Sequence, residues 1–523
     1  MQYKRLPFDI APVAQRIECR PPEPKAEVRF LSGADISPVD SSKGILYAHE
    51  FFTRYASVTN IGNLLNKDEI SSLFAQDVAL YSKHHSGLIA VLLPSHLTDR
   101  LSSLKAEQLR QSATVIWEKP DQKTQMFGFG KAIELKGNGK STLQEGLQQV
   151  RKTLETAQGN SEALDELKCF GGARFDPQST CYDELWKPYG NWSFLIPKLL
   201  ITQCENGIKA LLVLNINSQK TLSKHEKNIE DLLSNIAKPD SSPDCASPVQ
   251  ITQPIAEDWN KTIQVALNEI ENETYKKVVL ATKIKLQTDQ CFNTTQVLTS
   301  LAQNYPNCYI FKLSLGGEND YTWLGASPEL LVDFFQGTVN ASSLASSARR
   351  SENAIEDLKL GEELLTNQKE LLEHELVVQT TRETLKNLCT SVTVPQHPEL
   401  LKMPNIQHLH TPITGTAKEN VDLLDFLQNL HPTPAVGGWP KEEALDAIRR
   451  LENFDRGWYA GPVGWVNRSG EGEFAVALRS ALIGRNEAFL YAGAGIVKGS
   501  QPVKELNETK LKLQPLLEAL SAN

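Results

Sequence analysis

The chain has 523 residues, is 40% hydrophobic and carries a formal net charge of −9. That length allows a large core, and the acidic balance argues against nucleic acid or an anionic membrane surface as a partner, although a local cluster of Arg, Lys and metal can still receive an anionic small molecule. No apolar run approaches the roughly 18 residues of a membrane span, no signal-peptide core follows Met1, and the 8 cysteines form no CxxC pair, so a cytoplasmic protein with reduced thiols is expected.

Residues 1–33 are read as an extension outside the fold. Ala11 to Lys25 resembles the peptide produced when a transfer-RNA gene is translated in a protein reading frame, and its prolines and charges leave little to bury. Residues 34–240 form an N-terminal part of the body. In it, Leu88–Leu93 and Ala210–Leu214 read as strands, and Gln144–Ala157 and Ser223–Ala237 as helices. Residues 241–254, rich in Pro, Ser and Asp, read as a linker. In 255–523, Pro254–Glu273 reads as a helix and Lys277–Leu286 as a strand. One long helix is expected within Ile355–Cys389, and further helices over Lys441–Glu452 and Pro502–Leu520. Phe474–Leu478 and Ala488–Ala492 read as a strand pair. The result is a mixed α and β chain without regular alternation.

Several residues carry possible chemistry. Glu370 and Glu373 are three apart on the long helix, and Glu505 and Glu508 are three apart on the last one. Each pair shares a helix face, and two facing pairs would give an oxygen-rich site suited to Mg²⁺. Taken bare, such pairs are nearly always solvated. Lys277 opens an apolar strand, and alternation sends its neighbour Lys276 to the opposite face. Glu329 follows Ser327-Pro328, where a turn residue is the plain reading. Gly139-Lys140-Ser141-Thr142 lacks the earlier glycine of a phosphate loop, Glu134 standing there, and nucleotide binding is rejected.

Context changes these readings. The segments Lys277–Leu280, Gly325–Glu329, Lys369–His374, His431–Gly438, Arg456–Gly464, Ala492–Val497 and Glu505–Lys512, in this order, closely resemble the chorismate-utilising enzymes, and within them the isochorismate synthases. The resemblance implies an α/β fold of the α+β type, with two stacked antiparallel sheets, helices outside and an active cleft between the sheets. It implies Lys277 as the base that activates water, Glu329 as the general acid, and Mg²⁺ on Glu370, Glu373, Glu505 and Glu508. It also implies binding of the substrate chorismate by His408, Tyr459, Arg479, Gly493, Ala494, Gly495, Lys512 and Ser347. The expected reaction adds water at ring carbon 2 with loss of the 4-hydroxyl. A salicylate synthase, which also eliminates pyruvate, is the nearest alternative, and an inactive relative serving as a binding or regulatory subunit is the alternative of another class. The resemblance leaves the oligomeric state open.

Two positions depart from the family pattern. Ala345-Ser346-Ser347 stands where Ala-Gly-Thr is usual, and Thr282 where Arg is common. Ser346 adds a side chain where backbone is expected to approach substrate or metal, so Ser346→Gly is expected to leave substrate affinity unchanged or improved. Deletion of residues 1–33 is expected to leave melting temperature and kinetics unchanged, and a clear fall in melting temperature would show that the segment belongs to the fold.

Overall fold

The computed structural model describes residues 87–523 except 180, 206, 217–221, 237–248, 254, 256–257, 317–320 and 522–523, together with Glu69, Ser72 and Val78. The expected extension 1–33 and most of the expected linker lie outside the described residues. The linker's last part behaves differently from the expectation: Gln250–Gln253 is a strand that pairs with Lys277–Gln287.

Among the described residues the strands form two large antiparallel sheets, one of 12 strands and one of 10. The larger runs from Gly87–Leu92 through Gly207–Ile216, Leu199–Cys204, Thr124–Phe129, Val115–Lys119, Tyr309–Leu313, Thr322–Ser327, Ser480–Ile483 and Glu487–Val497 to Lys277–Gln287 and Gly438–Trp439. The smaller runs from Cys389–Thr393 through Ile406–Ala417, Thr338–Arg349, Leu330–Phe335, Gly472–Val476, Pro462–Asn467, Lys168–Ala173 and Trp192–Ile196 to Ile133–Gly137, with Glu399–Lys402 paired to Ile406–Ala417. Both sheets draw strands from the first and the second half of the chain.

Strand alternation divides the larger sheet into two faces. Val115 and Trp117 join the core shared with Phe170, Phe194 and Phe474 of the smaller sheet. Ile116 between them joins the outer core, where Leu97, Leu109, Leu298 and Leu516 of covering helices pack. Polar bonds also tie the sheets together. Glu473 of the smaller sheet accepts from Trp117 Nε1 at 2.7 Å and pairs with Lys119 Nζ at 3.2 Å. No helix of the described residues is long and apolar enough to cross a membrane.

Two expectations are corrected. The long helix is two helices, Ala354–Thr366 and Gln368–Leu388. Asn367 ends the first with extended backbone (ψ 115) and caps the second, its side chain accepting from the N–H groups of Lys369 and Glu370. Asn competes for backbone groups in this way, and periodicity alone does not see it. Phe474–Leu478 and Ala488–Ala492 are not a pair. The first belongs to the smaller sheet, and Glu487–Val497 pairs instead with Ser480–Ile483 and Lys277–Gln287 in the larger.

The chain therefore changes sheet between Val476 and Ser480. It also changes sheet between Ser327 and Leu330. The two crossings bond to each other: Val476 N–H donates to the Glu329 carbonyl at 3.0 Å, and Ala326 N–H to the Arg479 carbonyl at 3.1 Å. Glu329 and Arg479 are thereby held between the sheets.

Candidate functional site

Lys277 begins its strand at a crowded place. The strand pairs with Glu487–Val497 on one side and Gly438–Trp439 on the other. A Cβ on Gly438 would lie 2.3 Å from the Lys277 carbonyl, and its φ of +137° suits glycine. Lys277 is 1% exposed, whereas Lys276 is exposed with its ammonium over the Trp439 ring. Across the pair, Gly493 and Gly495 face the same side. A Cβ on Gly495 would lie 2.3 Å from Glu373 Oε1 and 3.3 Å from Lys277 Cε, so the bare backbone makes room for that charged pair. Ala494 turns the other way by alternation and is fully buried on the strand face opposite the cleft.

The cleft has a volume of about 560 Å³ including solvent at its mouth, within the range of small-molecule sites. Lys277, Glu329, Glu373, His408, Tyr459, Arg479, Gly493, Gly495, Glu508 and Lys512 line it. Glu370, Glu505, Ser347 and Ala494 do not. Val279, Pro328, Leu344, Ala345, Ala435, Val436 and Leu478 supply its apolar walls. Val279, Pro328, Ala435 and Val436 fall inside the family-like segments, whereas Leu344 and Leu478 carry no signal by which they could have been picked out.

Four glutamates stand on two helices, Gln368–Leu388 and Pro502–Ser521. Each is met by a lysine. Lys277 Nζ lies 3.0 Å from Glu373 Oε1, and Lys512 Nζ 2.6 Å from Glu508 Oε1. Lys369 Nζ lies 3.2 Å from Glu370 Oε1 and 3.5 Å from Glu505 Oε1, so it bridges the helices. Among the described residues no three acidic, histidine or cysteine side chains are arranged to enclose a metal ion. The donor chemistry nonetheless fits a hard divalent cation. Burial, then Glu508 and Glu373, push the Glu505 carboxyl above its ordinary range, against the pull of Lys369. A carboxylate raised by neighbouring carboxylates in this way gains from a shared cation. Glu508 is different: burial works to raise it, but Lys512, aided by Ser347 and Lys369, holds it low.

The carboxylate-binding candidates gather at the second crossing. Arg479 is 5% exposed with φ 47, and its Nε is buried without a hydrogen-bond partner among the described residues. Its Nη2 donates to His408 Nε2 at 3.2 Å. Burial, then Arg479 and Lys512, hold His408 well below the usual imidazole range, so the ring is neutral. A neutral ring that accepts at Nε2 carries its proton on Nδ1, which points at the Ser346 carbonyl at 3.3 Å. Tyr459 stacks on Tyr491 with ring centroids 5.4 Å apart. Lys512 also donates to the Gly493 carbonyl at 2.8 Å. Glu329 is 2% exposed; burial raises its carboxyl to about 8, and Lys277, Lys512 and Arg479 only partly oppose that.

The sequence reading passed over His374 and Lys369, although both adjoin the glutamates. His374 is 2% exposed, bonds Thr411 Oγ1 through Nε2 at 2.7 Å, and is lowered to about 4 by burial and by Lys277. It pins the turn of helix that carries Glu373.

Ser346 has its own partner. It sits at a bulge opposite Ile406–Ala417 with φ 60, and its hydroxyl donates to the Glu370 carbonyl at 2.9 Å. Left-handed backbone costs a non-glycine residue about 1–2 kcal/mol, while a hydrogen bond returns about 1 kcal/mol. Ser346→Gly relieves the strain and loses the bond, so stability by urea unfolding is expected to stay within about 1 kcal/mol. Ser346→Ala keeps the strain and is expected to lose about 1 kcal/mol. Equal losses in both would show that the backbone at Ser346 stores no strain.

A family profile described as "Chorismate binding enzyme" matches residues 74–521. The chain is 35% identical over 417 residues to the isochorismate synthase MenF of Bacillus subtilis, covering 77% of this chain and 87% of that protein. It is 32% identical over 447 residues to the salicylate biosynthesis isochorismate synthase of Pseudomonas aeruginosa, covering 83% and 90%. The fold is also that of MenF, the menaquinone-specific isochorismate synthase from Escherichia coli, with a TM-score of 0.69 at 24% identity over 86% of this chain and 100% of that one. With the profile spanning most of its length and these relatives covered nearly end to end, this chain belongs to the chorismate binding enzymes.

Proposed function

We propose that the protein is a Mg²⁺-dependent isochorismate synthase that adds water at C2 of chorismate and expels the C4 hydroxyl. The observation that carries the reading is a buried carboxyl, Glu329, raised to about 8, in the same cleft as a buried lysine, Lys277. The reaction needs a base for the incoming water and an acid for the leaving hydroxide, and groups whose environments differ in this way suit those two roles. Lys277 takes a proton from water as the new C–O bond forms at C2. The ring double bonds shift, the C4–O bond breaks, and Glu329 supplies the proton that releases the hydroxyl as water. One water enters and one leaves, so substrate and product are isomers.

Lys277 can act as base only as the free amine, and its Nζ lies 3.0 Å from Glu373 Oε1 in an ion pair. Glu373 must therefore be engaged elsewhere during turnover. Glu370, Glu373, Glu505 and Glu508 are the residues that would hold Mg²⁺. A bound Mg²⁺ supplies charge neutralisation at a substrate carboxylate. Arg479, whose Nε is without a partner among the described residues, and Lys512 suit the carboxylates, with Tyr459, His408 and the backbone at Gly493 and Gly495 as walls.

Lys277→Ala and Glu329→Gln are each expected to lower turnover by roughly 10²–10⁴-fold, while Lys276→Ala leaves it unchanged; equal losses at Lys276 and Lys277 would undo the assignment. Glu329 is the competent acid while protonated. The rate is therefore expected to fall as pH rises through about 8, and the residual activity of Glu329→Gln to lack that fall. Product analysis by chromatography is expected to give isochorismate in equilibrium with chorismate. Stoichiometric pyruvate would move the protein to the salicylate-forming alternative. Chelation is expected to abolish turnover and Mg²⁺ to restore it.

A further inference from the structure

Three lysines meet the four glutamates, and they are not equivalent. Lys277 is 1% exposed and fixed on its strand. Lys512 is 16% exposed and is also tied to the Gly493 carbonyl. Lys369 is 31% exposed, lies in the first turn of its helix, and has its hydrogen bonds with Glu370 and Glu505. Its ammonium is thus the group that joins the carboxylates of one helix to those of the other. A compact cation on a flexible four-carbon stem, partly open to solvent, can leave such a place without disturbing the core.

We propose that Lys369 is a tethered stand-in for the metal: its ammonium bridges Glu370 and Glu505 in the metal-free protein and swings to solvent when a divalent cation takes the glutamates. This rests on the four-glutamate reading of the metal site. Without a cation the facing helices would present uncompensated carboxylates to each other across a desolvated cleft. The stand-in keeps the site assembled, and it also competes with the metal. A site held by the ammonium for about nine-tenths of the time binds Mg²⁺ about tenfold more weakly than a free one.

The test uses the full chain and Mg²⁺ alone. Amine labelling read by peptide mass spectrometry is expected to rise several-fold at Lys369 when Mg²⁺ is added, while Lys277 stays protected. Calorimetric titration is expected to show Mg²⁺ binding Lys369→Met about tenfold more tightly than the unaltered chain. Mg²⁺ is also expected to raise the melting temperature of Lys369→Met by more than it raises that of the unaltered chain. Unchanged or reduced labelling at Lys369 overturns the proposal even where Lys369→Met binds more tightly, because charge removal alone then accounts for the gain. Weaker binding by Lys369→Met overturns it as well. The underlying reading fails separately: if Mg²⁺ gives no binding heat with the unaltered chain, or binds Glu505→Ala equally well, the glutamates are not its ligands.

Discussion

The cleft depends on two places where the chain leaves one sheet for the other. At each, backbone groups lose their ladder partners, and an unpaired buried N–H or C=O costs about 1–3 kcal/mol. The crossings supply each other's partners, Val476 to Glu329 and Ala326 to Arg479. The small residues at these points let them meet: a Cβ on Gly325 would lie 2.8 Å from the Arg479 carbonyl. Glu329 and Arg479 owe their burial to this mutual satisfaction, and their chemistry follows from the burial. Glu329 retains its proton because desolvation outweighs the three cations facing it, and Arg479 keeps a buried Nε without a partner among the described residues.

The remaining charges balance within the cleft. Lys277 and Glu373, Lys512 and Glu508, and Lys369 with Glu370 and Glu505 offset one another. Of these only Lys277–Glu373 is buried on both sides; such a pair adds little net stability, yet removing one partner costs about 3–5 kcal/mol by leaving a bare charge. They are therefore better understood as a poised arrangement than as a source of stability. In the proposed reading, each lysine that neutralises a glutamate can also release it to a competing cation, and release of Glu373 would free Lys277 to serve as the proposed base.

Much of this was legible in the sequence, and the gaps have physical causes. Lys277, Glu329, Arg479, Glu373 and Glu508, singled out by the family resemblance and not by spacing alone, line one cleft. The opposite exposure of Lys276 and Lys277 followed from strand alternation alone. The helix break at Asn367 was hidden because the apolar period runs through it, while the break itself is made by one side chain capping a helix. The strand Gly472–Val476 was paired with the wrong neighbour because alternation tells which face is buried and not which sheet receives the strand. A motif carries no direction, and alternation sends the Ala494 side chain to the strand face opposite its flanking glycines. Ser346 was read as a glycine lost, and its bond to the Glu370 carbonyl depends on a bulge that no local pattern announces.

The central claim is that the crossing buries Glu329 deeply enough to keep it protonated at neutral pH. Infrared difference spectroscopy of the unaltered chain against Glu329→Gln reads that carboxyl directly. The account predicts a protonated carboxyl band at pH 7 that is absent from Glu329→Gln and converts to carboxylate as pH rises through about 8. A Glu329 carboxylate already formed at pH 7 would contradict it.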